Sequence, residues 1–416
     1  MEKNNKEPPL PITLLSSKVA LNIYQNRKFF NSFLWNALLI KISVLQRRTL
    51  MCRSGLYILL VKRLLSKIRI KCTTQYALRI MSRRHSTLSS HHKSPCVFTL
   101  ETKHKKEINC VKISNHEASL IATASEDKTA LLFRLNADCS AATQVQELQG
   151  HRSSVTSVAY HPNGLLIATS SEDHTIKFWR IDDGSCVFTL LAHKLGGITS
   201  VVFDKSGTYF ASTSWDNTAK IWQLNEDYTL PRRVSWLKGH KHIVDSFAFD
   251  PHNEHRIAAT ASHDKTAKVW IIIDKNSKCV STLSGHTRSV SSVLFHPTRR
   301  DLIVTSSKDG TVIFTQIDPD FGNMTCSTTS VLKLMTPGNT IDINAITIDK
   351  SGLRLLTCSW DNIARLYLIV VNDQGNIGCV LLSTLRHEFG VFSGDFSLDE
   401  IAVTGGLDTS LKFSRL

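Results

Sequence analysis

The stretch S-E-D-H-T at residues 171–175 decides the fold, because close variants of it occur seven times along the chain. The other copies are S-E-D-K-T (125–129), S-W-D-N-T (214–218), S-H-D-K-T (262–266), S-K-D-G-T (307–311), S-W-D-N-I (359–363) and the degraded G-L-D-T-S (406–410). Successive aspartates of these copies are 43 to 52 residues apart. A repeat of this length with strand-like flanks predicts a closed array of small sheets.

One repeat, taken from residue 151 to residue 191, shows what each unit contains. Four segments with strand-like sequence, 155–160, 165–171, 175–181 and 186–191, alternate with the turn signals H-P-N-G, E-D-H and D-D-G. This order predicts one antiparallel sheet of four strands. Such a sheet is too small to be stable alone, so neighbouring copies have to cover its faces.

The corner aspartates are accompanied by polar residues at fixed distances. A histidine lies 21–24 residues before the aspartate in six units: His104, His151, His193, His240, His286 and His387. A serine lies two residues before it in six units: Ser125, Ser171, Ser214, Ser262, Ser307 and Ser359. In units two to four, whose aspartates are Asp173, Asp216 and Asp264, a tryptophan follows six residues later: Trp179, Trp222 and Trp270.

We interpret each of these sets as a structural staple held by hydrogen bonds. A buried carboxylate needs donors, and the imidazole N–H, the serine hydroxyl and the indole N–H can supply them. The same residue types make up a hydrolase triad, but a nucleophile is exposed and unique in its site, whereas this trio recurs in most units. The sequence also contains no G-x-S-x-G motif and no glycine-rich phosphate loop.

This arrangement resembles the WD40 β-propeller family, whose units carry a Gly-His pair, a corner aspartate and a terminal Trp-Asp. The Gly-His pair is present at Gly150-His151, Gly239-His240 and Gly285-His286. No unit ends in Trp-Asp, unit six lacks the histidine, and the tryptophan position holds other residues in units one, five, six and seven: Phe133, Thr315, Tyr367 and Ser414. We therefore expect units five to seven to be held less firmly. The resemblance covers residues 96–416 and implies an all-β, seven-bladed propeller.

The two ends of the repeat region predict how the ring closes. Unit seven ends with L-K-F-S-R-L, which aligns with a third strand, so it lacks a fourth strand. Upstream of unit one, C-V-F-T-L at residues 96–100 repeats the fourth strand of unit two at residues 186–190. We therefore expect the N-terminal strand to complete the last blade, which removes an exposed sheet edge.

The charge of the chain is concentrated before the repeats. Residues 1–95 contain 18 lysines and arginines and two acidic residues, whereas residues 96–416 contain 32 basic and 33 acidic residues. The near-neutral repeat region therefore gives no charge support for direct nucleic-acid binding. Ten scattered cysteines without a C-x-x-C pair favour a reducing, intracellular compartment, in the cytoplasm or nucleus, and predict no metal site.

The basic, acid-poor extension at residues 1–95 is open to three interpretations. In the first, it is not a folded module and not part of the mature chain, which starts at Met81 instead of Met1. In the second, it associates with a membrane surface. In the third, it is an organelle presequence. Residues 56–70 form a basic amphipathic pattern that suits an anionic membrane surface. Residues 29–45 are apolar but interrupted by polar residues, which makes them marginal for a membrane span.

Two sets of residues are expected on the partner-binding face of the propeller. Residues just before the corner aspartates should project there: Glu126, Glu172, Trp215, His263, Lys308, Trp360 and Leu407. Residues at the start of the innermost strands should line the central mouth: Asn109, Thr156, Thr199, Asp245, Ser291, Asn344 and Phe392. Aromatic residues dominate binding hot spots, so Trp360 and Phe392 are candidates for one pocket wall. The alternative is that Trp215 and Trp360 only pack over a neighbouring blade.

The function that the resemblance implies is a non-catalytic scaffold that binds proteins or peptides and assembles a complex without a cofactor. One alternative is a membrane-associated protein that residues 1–80 position. A second alternative is an enzyme, which would need an acidic or metal cluster at the central mouth, where Asp245 is the one acidic residue among the seven expected positions. Fold alone does not choose the pathway.

Overall fold

The computed structural model describes residues 96–136, 139–225, 231–252, 257–273, 277–320, 325–335, 341–372, 376–397 and 401–415. The predictions for residues 1–95 lie outside these described residues. Within them the protein consists of strands and turns and contains no helix. No described segment is a helix of the length and apolarity needed to cross a membrane.

Twenty-eight strands form seven antiparallel sheets of four strands each. Blade 1 contains β2 (Ile108–Ile113), β3 (Leu120–Ser125), β4 (Ala130–Leu135) and β5 (Ala142–Leu148). Blade 2 contains β6 (Val155–Tyr160), β7 (Leu166–Ser171), β8 (Thr175–Arg180) and β9 (Cys186–Leu191). Blade 3 contains β10 (Ile198–Phe203), β11 (Tyr209–Ser214), β12 (Thr218–Gln223) and β13 (Arg232–Lys238). Blade 4 contains β14 (Val244–Phe249), β15 (Ile257–Ser262), β16 (Ala267–Ile271) and β17 (Lys278–Leu283).

The remaining three blades have the same strand order. Blade 5 contains β18 (Val290–Phe295), β19 (Leu302–Ser307), β20 (Thr311–Asp320) and β21 (Thr325–Met335). Blade 6 contains β22 (Ile343–Ile348), β23 (Arg354–Ser359), β24 (Ile363–Val371) and β25 (Ile377–Arg386). Blade 7 contains β26 (Val391–Phe396), β27 (Ile401–Gly406), β28 (Ser410–Arg415) and, as its outermost strand, β1 (Cys96–Glu101).

The predicted ring closure is confirmed. Strand β1 pairs antiparallel with β28, with Glu101 opposite Ser410 and Phe98 opposite Phe413. The rings of Phe98 and Phe413 stack at a centroid distance of 4.1 Å. The innermost strands contact one another in the order β2, β6, β10, β14, β18, β22 and β26, and β26 contacts β2 again. The protein is therefore a closed seven-bladed propeller, as predicted.

The hydrophobic core lies between neighbouring blades. All six residues of β7, in the middle of blade 2, are buried, and so are all six of β15 in blade 4. Phe178 of blade 2 meets Phe210 of blade 3 edge to face at a centroid distance of 5.2 Å, and both are fully buried. Burying such a side chain contributes about 2 to 3 kcal/mol. Each sheet thus covers the next, which is why a single unit would not be stable alone.

The recurring corner has one backbone geometry in all seven blades. The residue after the aspartate adopts a positive φ, between 54° and 76°: Lys128, His174, Asn217, Lys265, Gly310, Asn362 and Thr409. In blade 2 the Asp173 carboxylate stabilises the corner, because its Oδ1 accepts hydrogen bonds from the backbone N–H (3.0 Å) and the hydroxyl (2.6 Å) of Thr175. A side chain that bonds its own backbone two residues on makes such a turn accessible to non-glycine residues.

A β-bulge interrupts the pairing at the second residue of every innermost strand. In blade 2 the register shifts between Val155 and Ser157, so that Thr156 has no partner residue in the ladder. Equivalent shifts occur in the other six blades. A bulge redirects the side chain of the unpaired residue. The seven residues at these positions are the ones expected at the central mouth.

Candidate functional site

The polar sets around the corners form linear hydrogen-bonded chains, which blade 2 illustrates. The Nδ1–H of His151 donates to the Asp173 carboxylate at 2.9 Å, and His151 Nε2 lies 2.8 Å from the Thr169 hydroxyl. The indole N–H of Trp179 donates to that same hydroxyl at 2.8 Å. Blades 3 and 4 repeat the chain through His193, Ser212 and Trp222, and through His240, Thr260 and Trp270.

The expectation that the serine and the indole donate directly to the aspartate was wrong. The Ser171 hydroxyl accepts the backbone N–H of Asp173 at 3.1 Å and donates to the Ser153 carbonyl at 3.2 Å. Ser214 and Ser262 have the same two roles in their blades. These serines are fully buried and make no bond to histidine, so they fasten the corner to the preceding loop and lack the geometry of a nucleophile.

A hydroxyl residue four positions before each aspartate was missed at the sequence level. It joins the histidine to the tryptophan in blades 2 to 4. The signal was available, because every unit carries a threonine or serine there: Thr123, Thr169, Ser212, Thr260, Thr305, Thr357 and Thr404. This residue is central to the staple because it contacts both rings.

In blades 3 and 4 the staples hold charged aspartates against neutral histidines. Burial alone would raise the pKa of the Asp216 carboxyl, but hydrogen bonds from His193 and Thr218 outweigh it and lower that pKa to about 2. The pKa of Asp264 falls to about 2 for the same reasons, with Thr266 and His240 among the donors. Burial lowers the pKa values of His193, His240 and His286. A neutral histidine suits this chain, because Nδ1 donates while Nε2 accepts.

Blades 5 to 7 depart from this pattern to different degrees. In blade 5 the shortest distance from His286 Nδ1 to the Asp309 carboxylate is longer, at 3.2 Å. In blade 7 His387 contacts Asp408 and Thr404 at 2.8 Å each, so this staple is as tight as those of blades 2 to 4, contrary to expectation.

In blade 6 the guanidinium of Arg365 takes the place of the histidine and forms an ion pair with Asp361. The hydroxyls of Thr357 and Tyr367 are buried there without a hydrogen-bond partner. Burial raises the pKa of Tyr367 to about 12. The corner of blade 6 is therefore held by an ion pair, and it lacks the complete chain of hydrogen bonds found within blades 2 to 4.

The seven corners and the starts of the seven innermost strands lie at one end of the propeller, which we call the corner face. In every blade the residue before the aspartate donates its backbone N–H to the residue that precedes the innermost strand, as Trp360 does to Asp342 at 3.0 Å and Glu172 to Ser154 at 3.1 Å. Both sets of expected site residues therefore surround the same opening.

Trp215 and Trp360 occupy equivalent corners and are similarly exposed, at 47% and 46%. Trp215 lies over Gly197 of its own blade, where an added Cβ would approach the ring to 3.3 Å. Trp360 reaches into the next blade, where a Cβ on Gly390 would approach its ring to 3.1 Å. Trp360 also meets Phe392 at right angles, with ring centroids 5.2 Å apart. Each indole therefore packs on a glycine and leaves about half of its surface open.

All seven predicted mouth residues line a central channel of about 1200 Å³. Five of them also join their blade to the next by a hydrogen bond to the carbonyl of the first residue of that blade's inner strand. Thr156, Thr199 and Ser291 donate from hydroxyls at 2.6–2.7 Å, and Asn109 and Asn344 donate from amides at 2.8–3.0 Å. These five residues have a structural role that the sequence did not reveal.

Asp245 and Phe392 are the two bulge residues that do not make this bond. A carboxylate and a phenyl ring have no donor to offer, so the junction that follows each of them lacks the bond that the other five have. Asp245 instead pairs with His263 Nε2 at 2.6 Å, and the ring of His242 lies 5.5 Å from that of His263. Phe392 instead contacts Trp360. The structural bond is thus replaced at two places on the corner face.

The rim of blades 1 and 2 is acidic. Glu107, Glu126 and Glu172 all line the channel, and burial together with the Glu126 charge raises the pKa of Glu107. Lys106 pairs with Glu126 at 3.0 Å, and Ser153 donates to Glu172 at 3.1 Å. The expected site residue Lys308 lines the channel from blade 5.

No metal or disulfide chemistry accompanies this site in the described part of the chain. Those residues contain no group of three histidine, cysteine or acidic side chains able to hold a metal ion. Seven cysteines of that part are unpaired: Cys110, Cys139, Cys186, Cys279, Cys326, Cys358 and Cys379.

Comparison with known proteins shows the same repeat. The profile of the family described as "WD domain, G-beta repeat" matches residues 94–134, 142–180, 184–223, 231–270, 277–314 and 329–367, which is more than half of the chain. Nuclear distribution protein nudF 1 of Talaromyces marneffei is 30% identical over 254 residues, 54% of each chain. Nuclear distribution protein PAC1 of Fusarium vanettenii is 32% identical over 212 residues, 44% of this chain and 45% of its own. The human WD repeat-containing protein 37 is 28% identical over 208 residues, 50% of this chain and 39% of its own.

Proposed function

Because this chain belongs to the WD40 family, we propose that it is a non-catalytic scaffold that captures a partner protein on the corner face and assembles it into a complex. Propellers of this family generally bind other proteins. The observation that carries the proposal for this chain is the contact between Trp360 and Phe392 at the mouth.

The Trp360–Phe392 pair has the properties of a binding hot spot. Phe392 occupies a bulge position at which five other blades place a structural hydrogen-bond donor. The neighbouring Phe389, at the same end of blade 7, is 57% exposed. Trp360 is about half exposed and Phe392 is partly exposed. Aromatic rings that pack on one another supply large contact area at low entropic cost, and such residues dominate the energetics of interfaces.

The chemistry of the rim suggests what the partner segment contains. Blades 6 and 7 present the aromatic rings, and the next two blades around the ring present the carboxylates of Glu107, Glu126 and Glu172. An apolar side chain would fill the aromatic part, and a basic side chain would meet the acidic part. Complementary charge of this kind fixes the orientation of a bound segment. We therefore propose a linear peptide segment with one apolar anchor and a neighbouring lysine or arginine.

A scaffold accounts for the polar clusters better than an enzyme does. The histidine–aspartate pairs are used in the staples. The corner serines there, such as Ser171, bond backbone groups, and the hydroxyls that contact histidine, those of Thr169, Ser212 and Thr260, are fully buried. At the mouth, the Asp245 carboxylate is paired with His263. A general base needs a reacting group within reach.

The direct test is to compare two equivalent indoles. Trp360→Ala should reduce partner capture from cell extract at least about tenfold, because a hot-spot truncation costs 2 kcal/mol or more. Trp215→Ala is the matched control, since this indole has the same corner position and the same exposure but packs on Gly197 of its own blade, whereas Trp360 packs on Phe392 of the next blade. Bound proteins would be quantified by mass spectrometry.

Both variants should unfold at nearly the parental urea concentration, because each removes a half-exposed ring. Equal capture by Trp360→Ala and the parent protein would overturn the proposal. A loss confined to Trp215→Ala would place the interaction surface at blade 3 instead.

An intracellular location, in the cytoplasm or nucleus, is part of the same proposal. Its support is the set of unpaired cysteines in the described part of the chain, including the exposed Cys186. Thiol labelling of the endogenous protein should find Cys186 reduced, and its recovery in a disulfide would argue against this location.

A further inference from the structure

The outer edge of blade 3 carries an exposed tryptophan surrounded by cations. Trp236, on β13, is 41% exposed. The Lys238 amine lies 3.5 Å from the centroid of its ring, the Lys220 amine lies 5.1 Å away and the Arg233 guanidinium carbon 5.2 Å away. We call these four residues the β13 patch.

The strand register brings the patch together. Lys220 of β12 lies directly opposite Trp236 of β13, and Lys238 follows two residues later on the same face of the strand. The Lys220 amine is fixed, because it donates to the carbonyl of Ala192 at 2.8 Å. The pKa of Lys220 is lowered first by burial and then by the charges of Arg233, Lys194 and Lys238. Lys194 therefore adds a fourth cation from the loop before blade 3.

These cations are not neutralised by the described residues. None of them is within ion-pair distance of a described carboxylate. Asp216 is the one acidic group that acts on the charge of Lys220, and its carboxylate already accepts hydrogen bonds from His193 and Thr218. The three positive charges around the Trp236 ring, together with the charge of Lys194 that acts on Lys220, repel one another, and an anion would relieve that repulsion.

Protection of the sheet edge does not account for the patch. Charged residues on an edge strand discourage pairing with other chains. However, β13 carries three basic residues, whereas the outer strands β17, β21 and β25 carry one each, and β1, β5 and β9 carry none. The other six blades keep their outer edges with fewer cations, so the concentration at blade 3 needs a separate explanation.

We propose that the β13 patch binds a phosphorylated serine or threonine of a partner protein, at a site separate from the corner face. The phosphate would accept hydrogen bonds from the exposed Arg233 and Lys238 side chains, the buried Lys220 would add its charge, and the Trp236 ring would pack against the adjoining peptide. A phosphate group carries up to two charges and three acceptor oxygens in a small volume, which suits cations grouped around one ring. An extended nucleic acid favours cations spread along a stripe or groove, and here they surround a single side chain.

The test measures binding of fluorescent peptide libraries to the full-length protein at physiological salt. One library carries a fixed phosphoserine between degenerate positions, a second carries serine there and a third carries two glutamates. A single-stranded RNA of mixed sequence is the fourth probe. We expect the phosphoserine library to bind at least about tenfold more tightly than the serine library, because each hydrogen bond to a charged group contributes that much.

The variant Arg233→Glu/Lys238→Glu should abolish this preference. The control Lys278→Glu/Arg300→Glu changes the net charge equally at exposed positions of other blades and should keep it. The milder variant Lys238→Gln, which removes one positive charge from β13, should weaken phosphopeptide binding about tenfold. Trp360→Ala should leave it unchanged, which separates this site from the corner face.

Four results would overturn the assignment. They are equal binding of the phosphoserine and serine libraries, undiminished binding by Arg233→Glu/Lys238→Glu, stronger binding of the two-glutamate library, and tighter binding of RNA than of the phosphopeptides.

Discussion

The hydroxyl four positions before the corner aspartate can be removed in two blades with opposite expectations. Thr169→Val in blade 2 deletes a hydroxyl that contacts His151 and Trp179 at 2.8 Å each. Thr357→Val in blade 6 deletes the hydroxyl at the same repeat position, which is buried without a partner. Valine has nearly the shape of threonine, so the two substitutions differ in the hydrogen bonds that they remove and little in packing.

The expected magnitudes follow from those bonds. Thr169→Val leaves an imidazole nitrogen and an indole N–H buried without partners, and each such group costs about 1–3 kcal/mol. We therefore expect a loss of about 2–4 kcal/mol in the free energy of unfolding. Thr357→Val removes a polar group that already lacks a partner, so its effect should lie between zero and a gain of about 1 kcal/mol.

Urea denaturation followed by tryptophan fluorescence measures both effects, since the midpoint multiplied by the slope gives the free energy. Equal losses in the two variants would refute the staple account, because the hydroxyl would then act through packing alone. A large loss confined to Thr357→Val would show that blade 6 contains a bond that the structure lacks.

Two further predictions concern acid and ring closure. The pKa values of His193, His240 and His286 are lowered in the folded protein, so the unfolded chain binds more protons below about pH 6.5 and stability should fall as the pH drops from 7.5 to 5. The pKa values of Asp216 and Asp264 are lowered to about 2 each, so the free energy of unfolding should fall further below about pH 4. A urea midpoint that stays constant from pH 7.5 to 3 would contradict both the histidine and the aspartate contributions. Phe98→Ala should destabilise the protein by about 2 kcal/mol, because Phe98 stacks on the buried Phe413. The same variant should expose the β28 amides to hydrogen exchange. Unchanged protection of these amides would show that β1 is not the closing strand.

The architecture could be predicted from the sequence because each repeat carries the same pattern of strands and turns. The corner at residues 171–175 and its six relatives gave the number of blades, and residues 96–100 gave the closing strand through their identity with residues 186–190. The mouth residues were also placed correctly, since the second position of each innermost strand follows directly from the repeat register. Periodicity therefore carries information about backbone and about which face a residue occupies.

The hydrogen-bond partners were harder to predict, because they depend on distances between atoms that the spacing of residues along the sequence does not determine. The serine at the corner was assigned to the carboxylate, while the hydroxyl two residues earlier, at Thr169 in blade 2, makes the connection to the histidine. The pairing of Arg365 with Asp361 has no counterpart in the other blades and so left no repeated signal. The β13 patch combines residues 220, 233, 236 and 238, which become neighbours only when two strands are paired in register.

The most direct test of the corner-face account is Phe392→Asn. This substitution introduces at the blade 7 bulge the amide that Asn109 and Asn344 use to bond the next blade. We expect a stability within about 1 kcal/mol of the parent, because the new hydrogen bond offsets the lost ring contact. Partner capture should fall at least about tenfold. Full capture by this variant, or a loss of capture that merely follows a loss of stability, would contradict the claim that Phe392 serves binding and not structure.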